Sequence, residues 1–333
     1  MKRAWVLGLA GVALMVIAYP ALAQPVISAK SGVISYIEGK VYLGADQVEP
    51  STTRFPEIKE NQVVRTEYGR TEILLTPGMV LRLGEKSALK MITNRLIDTR
   101  VELLTGSAVV EADEIAKDNN VTLTCNQGVA AIAKAGIYRF DAEPPRVKVF
   151  AGLARVQIPG HSIEVAAGKM LDLSGSRAAV EKFDKDDTDS LDNWSQRRAQ
   201  LMAMANVSAA KNLRDNGGPI YGSLWGWNPY FGMYTFIPGT GKLYSPYGYY
   251  FWSPVTVWSV FYNPPVPAAS WGGGYGAPSY PTMSQTSGGY SGAISAAPSA
   301  SGASLGSAGS SAASAAASSS IGHGSSAGGG RGH

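Results

Sequence analysis

The sequence predicts an all-β core, a sandwich or roll or an irregular β-helix of many short strands, followed by one α-helix, an aromatic Gly/Pro-rich segment and a disordered tail. Three observations predict it. Apolar and polar residues alternate with period 2 in short runs between residues 30 and 175, as when Val147 and Val149 alternate with Arg146 and Lys148, and that is the spacing of a strand with one face in a core. Glycines at 39, 69, 106, 136 and 152 interrupt the runs, where a backbone without a side chain can bend or bulge. No helical spacing intervenes before about residue 176. The glycines recur unevenly, whereas a solenoid keeps a fixed period, which favours the sandwich or roll.

The chain opens with Met1, Lys2 and Arg3, runs through about 20 largely apolar residues and reaches Ala21-Leu22-Ala23-Gln24, the layout of an export signal cleaved between Ala23 and Gln24. The alternative is an uncleaved N-terminus kept as a membrane anchor, since the apolar run approaches the length that crosses a bilayer. The expected division is a signal peptide at 1–23, a linker at 24–29, a β domain at 30–175, a charged connector with a helix at 176–218, an aromatic segment at 219–263 and a tail at 264–333. A net charge of +4 without any Lys/Arg block excludes nucleic acid as a partner. Cys125 is the single cysteine, so no intrachain disulfide can form; in phase with Val121 and Leu123, it reads as a small buried residue.

Within the β domain, Val33–Tyr36 and Val41–Leu43 flank Glu38-Gly39-Lys40, and Val63–Thr66 and Thr71–Leu75 flank Tyr68-Gly69-Arg70. Each reads as a hairpin turn. Thr76-Pro77-Gly78 turns the chain into Met79–Leu83, Thr105-Gly106 turns it into Ala108–Glu111, and Pro144-Pro145 ends a strand because proline lacks the ladder's amide proton. Ile163 and Val165 precede a turn at Ala167-Gly168-Lys169, and Leu171 and Leu173 close the set.

The runs GVISYIEGKVYL, NQVVRTEYGRTEILLTPGMVLRLGEKSALKM, VELLTGSAVVE, GVAAIAKAGIYRF, RVKVFAGLARV and EVAAGKMLDL together resemble the FecR domain, a periplasmic β-module. The resemblance spans about residues 30–173. It implies a protein-binding β fold without catalytic chemistry. Signal-transducing members place a cytoplasmic sigma-factor-binding segment before a membrane span; only Met1–Arg3 precede the apolar run here, so iron-dependent transcriptional control is not carried over. Lys134-Ala135-Gly136-Ile137-Tyr138 departs from the Gly-Thr-x-Tyr/Phe pattern that the resemblance leads one to expect before the aromatic strand.

After residue 176 the spacing turns helical. Leu191, Trp194, Leu201 and Ala205 share a face, with Arg198 extending it by its aliphatic stem. Asp184, Asp186, Asp187 and Asp189 precede the helix, Lys211 and Arg214 close it, and Gly217-Gly218-Pro219 stop it, the charge order favoured by the helix dipole. An EF-hand counted from Asp184 needs glycine and glutamate where Asp189 and Ser195 stand, so the acids read as a solvated helix start.

Tyr221 to Tyr262 holds most of the rings and, of charged residues, only Lys242. The first reading is that these rings pack on one another, on the β domain or on the helix. The second exposes Trp225, Trp227, Tyr230, Tyr250 and Trp252 as contacts for a partner protein, a glycan or a membrane interface. The remainder is Gly-, Ser- and Ala-rich, too poor in apolar surface to offset the entropy of ordering.

No catalytic, cofactor or metal motif is present. His161 lies in a polar turn, and Glu111, Asp113 and Glu114 read as solvated acids at a strand end. The expectation is an exported, non-enzymatic module of the periplasm or cell surface that binds an envelope protein or polysaccharide, touching membrane only through an uncleaved N-terminus or the aromatic segment.

Overall fold

The computed structural model describes residues 30–52, 54–175, 179–218 and 221–262. Ala23 and Gln24, Pro219 and the tail at 264–333 lie outside the described residues. The first strands are β1 (Val33–Leu43), β2 (Asp46–Val48), β3 (Val63–Leu74), β4 (Met79–Leu83) and β5 (Ala88–Arg95). They are followed by β6 (Asp98–Thr105), β7 (Ser107–Ala112), β8 (Asn120–Cys125), β9 (Gly128–Ile132) and β10 (Gly136–Ala142). The set ends with β11 (Pro145–Ala151), β12 (Leu153–Ile158), β13 (His161–Ala166), β14 (Lys169–Asp172) and β15 (Ala179–Lys182).

All fifteen join one sheet in the order β13-β12-β9-β8-β6-β5-β3-β4-β7-β10-β11-β14-β15, with β1 paired to β2 and β3. Among the described residues only β6 and β8 pair in parallel. The sheet rolls over on itself about a single apolar core. Leu89, Val101, Leu123 and Val156 from one half meet Leu81, Val110, Phe140 and Val147 from the other. Cys125 sits between the halves, fully buried, and its Sγ donates to the Asp141 carbonyl at 3.2 Å. Burial pushes its thiol up to about 11, so it stays protonated and inert.

Two of the expected hairpin turns are instead the bend of the roll. β1 and β3 run unbroken through Gly39 and Gly69, which pair with each other across the two strands. The N-terminal part of β3 pairs with β5 and its C-terminal part with β4, so these long strands belong to both halves. A Cβ on Gly39 would lie 2.1 Å from the Tyr68 carbonyl oxygen, and one on Gly69 2.4 Å from the Glu38 carbonyl oxygen. The glycines are there because two backbones cross in contact, not because the chain reverses. Gly106 is likewise a corner: β6 pairs with β5 and β8, whereas β7 pairs with β4 and β10. The turns at Pro77-Gly78 and Pro144-Pro145 do close hairpins.

Beyond the roll lie α1 (Ser190–Asp215), β16 (Leu224–Asn228), β17 (Met233–Ile237), β18 (Lys242–Tyr244), β19 (Tyr250–Trp252), α2 (Pro254–Val257) and a π-helical turn, Trp258–Tyr262. Asp189 caps α1 through the amides of Leu191 and Asp192, and Asp192 returns the bond to the Asp189 amide. The helix buries Leu191, Trp194, Arg198, Met202, Ala205, Asn206, Ala209 and Leu213. Leu201, expected on that face, is exposed: the arc centres on Met202, and the neighbouring position is turned about 100° away.

Candidate interaction surfaces

The strands that carry the outer surface of the roll have apolar residues on both faces, as in Ile73-Leu74-Leu75, Met79-Val80-Leu81 and Ala108-Val109-Val110. Such unbroken runs belong to strands covered on both sides. Alternate positions of β3, β4, β7 and β10 therefore point away from the core into a second interior, beneath α1 and the aromatic hairpins.

Charge is concentrated there. Glu72 and Arg82 face each other across β3 and β4. Arg82 Nε donates to Glu72 Oε2 at 3.0 Å and its Nη1 to Glu111 Oε2 at 2.7 Å, with all three side chains essentially without exposed surface. Arg198 of α1 completes the set through Nη2 to Glu72 Oε1 at 3.0 Å, its guanidinium 3.8 Å from the Tyr36 ring centre. Burial alone would raise the Glu72 carboxyl, but Arg198 and Arg82 outweigh it and hold it down at about 2. Asp113 is buried, and its carboxyl lies against that of Glu111, so that the two can share a proton. Burial, and then the proximity of Glu111, raise it well above the ordinary carboxylate range. The hydroxyl of Tyr247 reaches the same cluster and is raised by burial and by Glu111.

A second clasp holds the start of α1. Arg139 of β10 reaches Asp141 at 2.9 Å, Asp189 at 2.7 Å and Asp192 at 2.7 Å, so the helix cap is also its anchor to the sheet. Glu111 and Asp113 are thus not solvated acids; β7 is covered on its outer face and they lie under that cover. Glu114 is half-buried and accepts from Ser223 Oγ. Arg198 serves by its charged head as well as its stem.

The hairpin β16–β17 is packed on both sides. Trp227 and Tyr234 pack around Phe55, at ring-centre separations of 5.1 and 4.9 Å. Trp225, Tyr234, Phe236 and Phe251 join Leu74 and Val80 of the roll and Met202 of α1 in one apolar cluster. Asn228 Nδ2 donates to the Ala205 carbonyl at 2.7 Å, and Thr235 Oγ1 donates to the Met202 carbonyl of α1. Asn206 of α1 bridges Phe236 and both backbone groups of Trp252.

The five rings named as contact candidates therefore part company. Trp225 is buried and cannot present a face to a ligand. Trp227 and Trp252 are half-buried. Tyr230 and Tyr250 are exposed. On β18–β19, Lys242 pairs with Trp252 and Tyr244 with Tyr250, placing these four on one face while Phe251 is buried on the other. Tyr244 was not among the candidates; its cross-strand partnership with Tyr250 is the feature that joins it to them.

At the ends of the sheet, among the described residues, β13 pairs only with β12 and β15 only with β14. Every residue of β15 is exposed, as are four of the six in β13. His161 opens β13 and is exposed. Among the described residues no group of three or more His, Cys, Asp or Glu is placed to hold a metal ion, and no helix is long and apolar enough to cross a membrane.

The family model described as FecR protein matches residues 62–155, from just before β3 into β12. No curated protein matches the chain. Two crystal structures, each described as a "putative anti-sigma factor" from Parabacteroides distasonis ATCC 8503, are distantly similar. The structure at 1.65 Å resolution is 14% identical with a TM-score of 0.35, over 40% of this chain and 64% of that one. The structure at 2.50 Å resolution is 13% identical with a TM-score of 0.33, over 46% of this chain and 72% of that one. The chain thus spans slightly under two thirds of the length of the first. TM-scores this low carry no weight for function.

Proposed function

We propose that this chain, which carries a FecR domain, is an exported, non-enzymatic interaction module of the cell envelope that takes a protein partner along a free edge of its rolled sheet. Export is supported by the charged start, apolar run and Ala-x-Ala ending before Gln24. The reading rests on one observation above the others: the sheet ends at β13 without a further strand among the described residues. A terminal strand keeps a row of unpaired amide and carbonyl groups, which an extended peptide can satisfy by adding a strand. β13 carries neither Pro nor Lys to discourage that addition.

Crosslinking of the full chain in native envelopes, read by mass spectrometry, tests this. Neighbouring amides of a strand point to opposite edges, so of Ile163→Pro and Glu164→Pro one removes an outward donor and the other a bond to β12. The expected result is a protein crosslinked within 161–166 whose capture falls with the outward-facing proline while the circular dichroism spectrum is kept. Crosslinks that avoid β13 altogether, or capture indifferent to both prolines, would refute edge binding.

A further inference from the structure

The face of β18–β19 that turns away from the molecule borders a cleft of about 690 Å³, within the range that small ligands occupy. Lys242 belongs to both. It lines the cleft, and its ammonium lies 4.8 Å from the Tyr250 ring centre and 5.6 Å from that of Trp252. The cleft's other polar groups are Glu114, Asn119, Ser223 and Thr240. Ser223 is fixed between Glu114 and the Gly239 amide, so one wall is preorganised. On the ribbon, Tyr244 and Tyr250 lie 5.0 Å apart with their planes at 52°, and Tyr250 and Trp252 5.8 Å apart at 44°. Rings tilted in this way do not cover one another's faces, and Tyr244 and Tyr250 keep 64% and 46% of their surface exposed. The ribbon itself is held in place from behind by buried Phe251 and by Asn206.

We propose that the cleft and this ring face form one binding site for a glycan chain, pyranose rings stacking on Tyr244 and Tyr250 while sugar hydroxyls bond to Asn119, Thr240 and Lys242. The chemistry of the surface selects that ligand. A pyranose is apolar on its faces and hydroxylated at its rim, which matches exposed rings next to a wall of hydroxyl, amide and ammonium groups. A nucleic acid or an anionic lipid surface would call for several cations, and Lys242 is the only charged residue between 221 and 262. The site is independent of the β13 edge and would stand or fall without it.

Co-sedimentation of the full chain with microcrystalline cellulose, a neutral glucan, and with purified peptidoglycan sacculi, an amino-sugar polymer, tests the proposal. Wild-type protein is expected to sediment with at least one of them. The double variant Tyr244→Ala/Tyr250→Ala is expected to bind that glycan about tenfold less tightly with an unchanged melting temperature. Should the double variant melt early, Tyr244→Ala alone, at the more exposed ring, takes its place. Failure of the wild type to sediment with either polymer overturns the proposal, as does a ring variant that sediments like the wild type. Loss with the rings but not with Asn119→Ala would overturn the union of cleft and ribbon. Substitutions in β13 should leave sedimentation unchanged, so the two readings fail separately.

Discussion

Arg82 carries a full charge with no exposed surface, and what allows it is the pair of carboxylates on either side, Glu72 and Glu111. Replacing it with methionine would leave Glu111 buried without its cation and Glu72 with Arg198 alone, and a loss of about 3–5 kcal/mol is expected, read as a lowered urea midpoint. The acids also set the pH response. Glu72, held at about 2 against an ordinary 4.5, binds fewer protons folded than unfolded, so its stabilisation is complete above 4.5 and disappears as pH falls toward 2. Asp113 behaves in the opposite sense. The fold keeps it protonated after the unfolded chain has released that proton, so stability declines as pH climbs past 3.8 toward the raised value. In Asp113→Asn that decline shrinks to what Glu111, itself raised by burial, contributes, and midpoints measured at about pH 5 and about pH 8 should move closer together than in the wild type. An unchanged gap would mean that Asp113 is not the group responsible. Glu72 and Arg82 lie across one hairpin, but Glu111 and Arg198 come from 29 and 126 residues away and join them only through strand register and helix docking, so the cluster was not visible in the residue order.

At the level of elements, the same glycine can close a hairpin or let two strands cross, and the neighbouring residues look alike in both cases. Gly39 and Gly69 are each flanked by strand-like runs, which is why they read as turns. Their pairing across β1 and β3 is a tertiary fact. Gly39→Ala, which places a carbon against the Tyr68 carbonyl, is expected to cost about 3 kcal/mol or more, at the upper end for a single substitution; calorimetry gives the value. The connector helix was legible in type, whereas its cap at Asp189 was not, and its buried arc was off by the one position that exposes Leu201. Asn206 is the element's working contact with the hairpins. Asn206→Ala leaves the Phe236 carbonyl and the Trp252 backbone without their partner, which should cost about 1–3 kcal/mol and speed proteolysis within 221–262.

For the whole molecule, the inner face of the aromatic segment is part of the interior. It covers Leu74 and Val80 on the outside of the roll and shares their cluster with Met202. A chain ending at Gly218 would uncover that apolar surface together with the charged cluster beneath it, and is expected to bind a hydrophobic dye and unfold earlier than the full chain. Dye binding and stability equal to those of the full chain would show that the hairpins contribute nothing to the core. Function is for that reason better probed by exposed positions such as Tyr244 and Glu164 than by truncation.

The sequence alone was enough for an all-β core, left between sandwich, roll and irregular β-helix, for the helix after it, the inert cysteine and the FecR resemblance, because periodicity and turn residues are local signals. Which rings are available to a ligand, which acids are buried and which glycines mark crossings were decided by tertiary structure. Burial depends on what lies on the far side of a strand or helix, and the covering segment comes from up to more than a hundred residues away, as the bond between Arg198 and Glu72 shows. Nothing in the neighbourhood of either residue encodes the other.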